Sequence, residues 1–338
     1  MSVEVQAQAP LAGRLRALWQ RPEVRDAVLD NLIWVILMIA MIGFSFIPGY
    51  LQSAVLINIL LHSTFLAILV IGETLCLLTG NFDLSIESVL AFTAMFAAVL
   101  MGTRPPTPGW GISPFIALPA MLLVGTLIGI FNGFCVAKLK INPFIVTLAT
   151  LIVFRGLTII FTKSTAVIRF PKVYNAVAII KLGPVPLLVL ITMALYIFFH
   201  FITSRTLFGR RLYAVGGNRD VAFAFGLKPD QVVMAAFALS GFLAAVAGWF
   251  LSARLDAALP GMAEGMAFDV MAAAVIGGVS LKGGKGSLVG ALGGVLLLGA
   301  INAALTVAVV SPYWYRIVRG LVIGLAVGLD TLKERLRQ

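Results

Sequence analysis

Apolar runs of membrane-crossing length follow one another along almost the whole chain. About 20 predominantly apolar residues carry a helix across a bilayer, with an ordinary range of about 17 to 25. Runs of that order lie near residues 31–47, 54–78, 86–102, 114–137, 143–161, 184–204, 232–252, 266–280, 287–309 and 315–331, the third and eighth being short. Ten spans are therefore expected, and the chain reads as an all-α polytopic membrane protein. Composition agrees: 60% of the 338 residues are hydrophobic and 12% charged, and the mean hydropathy is +1.04, far from a soluble domain. Residues 1–30 and 333–338 are expected to be tails and 31–332 the transmembrane domain. The first 29 residues lack a contiguous apolar core and a small-residue cleavage site, so no removable signal peptide is expected.

The net charge of +11 comes from short basic clusters between the runs, a pattern that suits anionic lipid headgroups and not nucleic acid. With a cytoplasmic N-terminus, 16 of the 25 Lys and Arg residues fall on the inner side. Both termini are then expected in the cytoplasm. The connection from Lys163 to Lys181 dissents, placing four positive charges outside, and a partner on that face is expected to hold it. Cys76 and Cys135 sit inside apolar runs and read as small reduced core residues.

Three markers occur twice in the same order. "NFDLSIESVLAF" from Asn81 and "AFDVMAAAVIGG" from Ala267 each open a short span. "GTLIGIFNG" from Gly125 and "GGVLLLGAIN" from Gly293 follow, and then the Arg-Gly pairs of "FRGLTII" and "VRGLVIG". The ordered set predicts duplicated halves, about 54–161 and 232–331. Their offset of five spans is odd, so the halves have opposite topology, an arrangement of transporters with a central pathway.

Interrupted spans at corresponding places in inverted halves point to a substrate path. "FDLS" is such an interruption. Asp83 or Ser85 reads either as a cap on the third helix or as a lining group, and Glu87 lies in the first turn, where the helix dipole favours a carboxylate. Arg155 lies twelve residues after Pro143, about 18 Å along a helix. A charge within a span faces a cavity or an opposite charge, so Arg155 is expected to pair with Asp269 or Glu264, in a structural role or in a gate. Asn81, Phe82, Asn132, Asn142, Thr147, Thr150, Phe268 and Asn302 complete the candidate pathway positions. For the polar ones, a hydrogen bond to a neighbouring helix is the alternative role.

The longest inner connection, residues 205–231, reads "RTLFGRRLYAVGGNRDVAFAFGLKPDQ". It predicts one short helix, with Asn218 as N-cap, Gly226 as C-terminal stop, Pro229 beyond, and Val221 and Phe225 on one face. So short a helix is marginal alone. It is expected either to dock on a partner or to lie on headgroups beside Arg210 and Arg211.

"TGNFDLSIES", "INPFIVTLATLIVFRGL", "FGRRLYAVGGNRDVAFAFGL" and "AAAVIGGVSLKGGKGSLVGALGG" together resemble the membrane permease subunits of bacterial ABC importers for monosaccharides, the group with ribose, xylose and autoinducer-2 permeases. The likeness spans about residues 31–330. It implies a type II-like importer permease in the bacterial inner membrane. It also implies a second permease subunit, a cytoplasmic ATPase holding ATP and Mg, a periplasmic sugar-binding protein, and a coupling helix at Asn218–Gly226 flanked by Arg210, Arg211 and Lys228. Where that family usually reads GGIDLSVGS, Asn81 and Phe82 replace the Gly-Ile pair and Glu87 replaces a glycine.

The chain itself has no phosphate-binding G-x-x-x-x-G-K-[ST]; "GGKGS" from Gly283 lacks the required ending. No catalytic triad or zinc-ligand spacing occurs, and His62 and His200 are far apart, so no enzyme and no cofactor are expected. The rival readings are a proton-coupled secondary transporter using Asp83, Glu87 or Glu73, an ABC permease for branched-chain amino acids, and a membrane-embedded assembly protein.

Overall fold

A computed structural model of the protein describes residues 22–102 and 109–311, with positions 314, 317, 320, 321, 324 and 328 beyond them, and side chains from Asn31 onward. Most of the expected tenth span, its Arg-Gly marker at Arg319, residues 1–21, Arg104 and the tail from Lys333 lie outside these.

The apolar runs become helices at nearly the expected places. They are α1 (Pro22–Phe44), α2 (Ser53–Leu78), α3 (Ile86–Met101), α4 (Pro114–Ala137) and α5 (Pro143–Thr162), followed by α6 (Lys172–Ile179) and α7 (Leu187–Arg205). In the inner connection come α8 (Leu207–Gly217) and α9 (Arg219–Ala224), and the apolar series resumes with α10 (Pro229–Leu255), α11 (Met266–Ile276) and α12 (Leu288–Val307). Among the described residues six helices, α2, α4, α5, α7, α10 and α12, are long and apolar enough to cross a membrane. The protein is an integral membrane protein. Shorter apolar helices are α3, α11 and the Asn31–Phe44 part of α1.

Helices that are apolar on every side give no amphipathic clue to their neighbours, and close approach in lipid depends on small residues. Glycines spaced by four do this on α4. Gly125, Gly129 and Gly133 face α10, where a Cβ on Gly129 would run into the Phe237 carbonyl and one on Gly125 into the Gly241 carbonyl. The centre of the bundle is α10, which packs along α4, α2 and α3, while α2 packs along α12 and α11, and α11 along α12. On α5 the periphery is apolar and the inward face is polar: Thr147, Thr150, Thr158 and Thr162 are buried, while Ile145, Ile152, Val153 and Ile160 are exposed.

The connection after α5, expected to need a partner, is fixed by the chain itself. Its two-residue strand β1 (Val167–Ile168) pairs antiparallel with β4 (Ala257–Ala258), Val167 opposite Ala258. Asp256, which ends α10, accepts hydrogen bonds from the Phe170 amide at 2.8 Å and Asn175 Nδ2 at 2.6 Å. The buried Tyr174 hydroxyl meets Ser252 Oγ at 2.7 Å. The other ladder, β2 (Lys181–Leu182) with β3 (Val185–Pro186), is a hairpin leading into α7.

Candidate functional site

Between α2 and α3 the helical backbone is interrupted, yet the interruption is buried. Thr79 to Ser85 lie outside both helices, and of these Asn81, Asp83 and Ser85 are inaccessible or nearly so. A buried helix end must satisfy its orphan carbonyls and amides locally. On the α2 side, the Asn81 amide donates to the Cys76 carbonyl at 3.1 Å, and Asn81 Nδ2 donates to the Thr79 carbonyl at 3.2 Å and to Thr79 Oγ1 at 2.9 Å. Gly80 turns the chain with φ of +77°, which a side chain would resist. The glycine-rich loop before α12 crosses here. The Gly284 amide donates to the Leu78 carbonyl at 3.1 Å, and a Cβ on Gly216 of α8 would strike that same carbonyl.

Asp83 organises the α3 side. Its Oδ1 accepts the Ser85 amide at 3.0 Å and the Ser85 hydroxyl, and its Oδ2 accepts the Ser240 hydroxyl of α10 at 2.9 Å. Ser85 Oγ in turn accepts from Asn132 Nδ2 of α4 at 2.9 Å, and Asn132 Oδ1 accepts the Thr150 hydroxyl of α5 at 2.7 Å. One unbroken chain, Ser240–Asp83–Ser85–Asn132–Thr150, thus joins α10, the interruption, α4 and α5 through buried polar atoms. Below it, Glu73 Oε2 accepts the Asp83 amide at 3.1 Å. Of the two capping candidates, Ser85 occupies the N-cap position but makes no capping bond, its hydroxyl being taken by Asp83 and Asn132, whereas Asp83 satisfies the amide of Ser85 itself.

Four residues on, Glu87 serves a second junction. Its Oε1 lies 3.1 Å from Arg155 Nη2, and its Oε2 accepts the Ala267 amide in the first turn of α11 at 3.0 Å. Arg155 Nη1 donates to the carbonyls of Pro260 at 3.2 Å and Met262 at 2.9 Å. The expected partner was Asp269 or Glu264; the partner is Glu87. Glu264 is exposed, whereas Glu87 sits at the starts of two short helices, its own and α11, whose amide ends favour an anion. Asp269 is buried in that same turn of α11.

The remaining candidates spread outward. Phe82 is half-buried with its ring 6.2 Å from that of Phe144, and Phe268 is exposed on α11. Asn142 caps α5, accepting the Phe144 amide at 2.8 Å. Thr147 is buried and its hydroxyl returns to the Pro143 carbonyl at 2.8 Å. Asn302 is half-buried on α12 and joins neither polar chain.

The inner connection folds as two helices where one was expected. Arg210 and Arg211 are exposed on α8, which buries Leu212 and Val215. Asn218 caps α9 as expected, its Oδ1 accepting the Val221 amide at 2.9 Å. Gly226 ends it with φ of +79°. The helix buries Ala222 and leaves Val221, Phe223 and Phe225 in the open, Phe225 at 84% exposure, with Lys228 exposed beyond. Among the described residues no group of three His, Cys, Asp or Glu side chains is placed to hold a metal ion.

Residues 55–327 match the family model described as branched-chain amino acid transport system / permease component. The chain is 36% identical to the ribose import permease protein of Bacillus subtilis over 292 residues, 85% of this chain and 88% of that one. It is 34% identical to the D-allose transport system permease protein of Escherichia coli over 303 residues, 88% of this chain and 90% of that protein. To the L-arabinose transport system permease protein of Escherichia coli it is 34% identical over 267 residues, 79% of each. No solved structure matches the chain.

Proposed function

On the premise that the chain belongs to the branched-chain amino acid transport system / permease component family, we propose that it is the permease subunit of an ATP-driven importer for a monosaccharide or related small polyol. The observation that carries this reading is the likeness along most of the chain to permeases named for ribose, D-allose and L-arabinose. The amino-acid alternative rests on the family description alone.

In this reading the protein spans the bacterial inner membrane about ten times, with both termini in the cytoplasm, and its halves are inverted repeats. The packing supports the repeat. Helix α10 runs along α4 while α2 runs along α12, and α3 lies on α4 and α10 while α11 lies on α12 and α2. Each half lends its long helix to the other.

The two polar junctions form a gate in the closed position. A sugar presents hydroxyls that need partners in an apolar bundle, and a buried polar group left unpaired costs about 1–3 kcal/mol. Asp83, Ser85, Asn132 and Thr150 spend their hydrogen bonds on each other in this state, as Glu87 spends its own on Arg155 and α11. Opening exchanges those bonds for bonds to sugar or water, so transit demands no large net gain or loss. In this reading Asn81, Phe82, Asn142, Thr147, Phe268, Asp269 and Asn302 are further pathway positions, reached before or after the two junctions. The drive comes from a separate ATPase docked on α9, where Val221 and Phe225 are open to contact, with Arg210 and Arg211 exposed on α8 and Lys228 just beyond α9. ATP shifts the permease only as far as the ATPase prefers one of its conformations. A periplasmic binding protein delivers the sugar, and a second permease subunit completes the complex.

Purification from the native membrane in mild detergent, with mass spectrometry of the bound proteins, tests the assembly. A stoichiometric nucleotide-binding ATPase is expected. A chain that purifies alone, with uptake abolished by an uncoupler, would replace this reading with a proton-coupled transporter.

A further inference from the structure

Asp230, in the first turn of α10, gathers three cations from two other parts of the chain. Its Oδ1 accepts from Lys140 Nζ at 2.9 Å and from Arg219 Nη2 at 2.6 Å, and its Oδ2 lies 3.2 Å from Lys138 Nζ. Lys138 and Lys140 form the turn between α4 and α5, and Arg219 is the first residue of α9. One carboxylate therefore fastens α9 to the start of α10 and to the α4–α5 turn at once.

The helices that meet at this point carry the buried junctions. Ser240, the partner of Asp83, is ten residues along α10 from Asp230, about 15 Å. Thr150 and Arg155 lie seven and twelve residues along α5 from Pro143, about 11 and 18 Å. Asn132, on α4, is six residues before Lys138. We propose that Asp230 is a positioning residue that transmits movement of α9 to α10 and to the α4–α5 pair together, so that both ends of the Ser240–Asp83–Ser85–Asn132–Thr150 chain are pulled by one load. The proposal rests on the reading that α9 docks an ATPase. Its physical basis is charge: with the carboxylate neutralised, three cations remain within a few ångströms and repel, and α9 loses its tie to both helices.

Exposed ion pairs hold little folding free energy, so the carboxylate is removable without unfolding the bundle. The test uses the whole complex in proteoliposomes, with labelled ribose, D-allose and L-arabinose as probes, comparing wild type, Asp230→Asn and Asp230→Glu. Asp230→Asn is expected to keep the ATPase at wild-type stoichiometry while uptake per ATP hydrolysed falls about fivefold or more, the scale of an ordinary coupling free energy. Asp230→Glu, which restores the charge, is expected to recover uptake per ATP. The proposal is overturned if Asp230→Asn transports with wild-type efficiency, if it loses the ATPase, or if Asp230→Glu is as defective as the amide. A wild-type complex that captures no ATPase would overturn the importer reading, and this proposal with it. An intact wild-type complex confines any failure to Asp230.

Discussion

Glu87 and Asp230 are both carboxylates that hold separate helices together through basic side chains, but they do so in opposite surroundings. Glu87 and Arg155 are 5% and 16% exposed, and each also bonds to backbone: Glu87 to the Ala267 amide, Arg155 to the Pro260 and Met262 carbonyls. Asp230 is 27% exposed and its three cations between 36% and 60%, so water competes with every bond. The contrast teaches that neither member of the interior pair can be left without a bonding partner, so its bonds can only be exchanged for others, whereas the surface cluster can dissolve into water and re-form. A gate that opens by exchanging bonds suits the first setting only if both partners move together, and a transmission point suits the second.

That contrast breaks most visibly at Arg155. Arg155→Met leaves Glu87 buried without its counter-charge and is expected to cost about 3–5 kcal/mol. Loss of monodisperse protein on heating in detergent would report it, and the double variant Arg155→Met with Glu87→Gln is expected to recover most of the loss. If the double variant is no better than the single, the pair is not the unit described here. Ser240→Ala, which strips one partner from Asp83 without touching charge, is expected to cost about 1–3 kcal/mol by the same assay. Asp230→Asn is expected to cost no more than about 1 kcal/mol, as surface pairs do. A large loss would place Asp230 on the structural side of the comparison. Phe225→Asp touches an almost fully exposed side chain and is expected to shift stability by under about 0.5 kcal/mol. Its effect lies elsewhere: co-purifying ATPase is expected to be lost, and undiminished recovery would count against docking at α9.

Much of the scaffold was legible because membrane-crossing length is a strong signal. The run expected at 54–78 is α2 at Ser53–Leu78, and the run at 114–137 is α4 at Pro114–Ala137. The interruption at "FDLS" and the limits of α9 were legible for a local reason: Asn218 and Gly226 act within a few residues of themselves. Partnership was not legible. Ser240 is an ordinary hydroxyl in an apolar helix, and nothing in its neighbourhood in sequence points to Asp83, 157 residues away. Arg155 carried a signal of need but none of direction, since helices apolar on all sides do not declare their neighbours. Its bonds to Pro260 and Met262 are to backbone, which carries no residue signature. The glycine run on α4 was the one available clue to adjacency, because spacing by four marks a face. The helix α8 and the self-bracing of the segment after α5 went unanticipated, both being short elements stabilised by tertiary contact.

The most direct measurement is uptake of labelled ribose, D-allose and L-arabinose into proteoliposomes holding the chain with its co-purified ATPase, in the presence of binding protein. Accumulation of at least one of these sugars that requires internal or external ATP on the ATPase side and survives an uncoupler is the predicted result. Uptake that proceeds without ATP and collapses with the uncoupler would contradict the account.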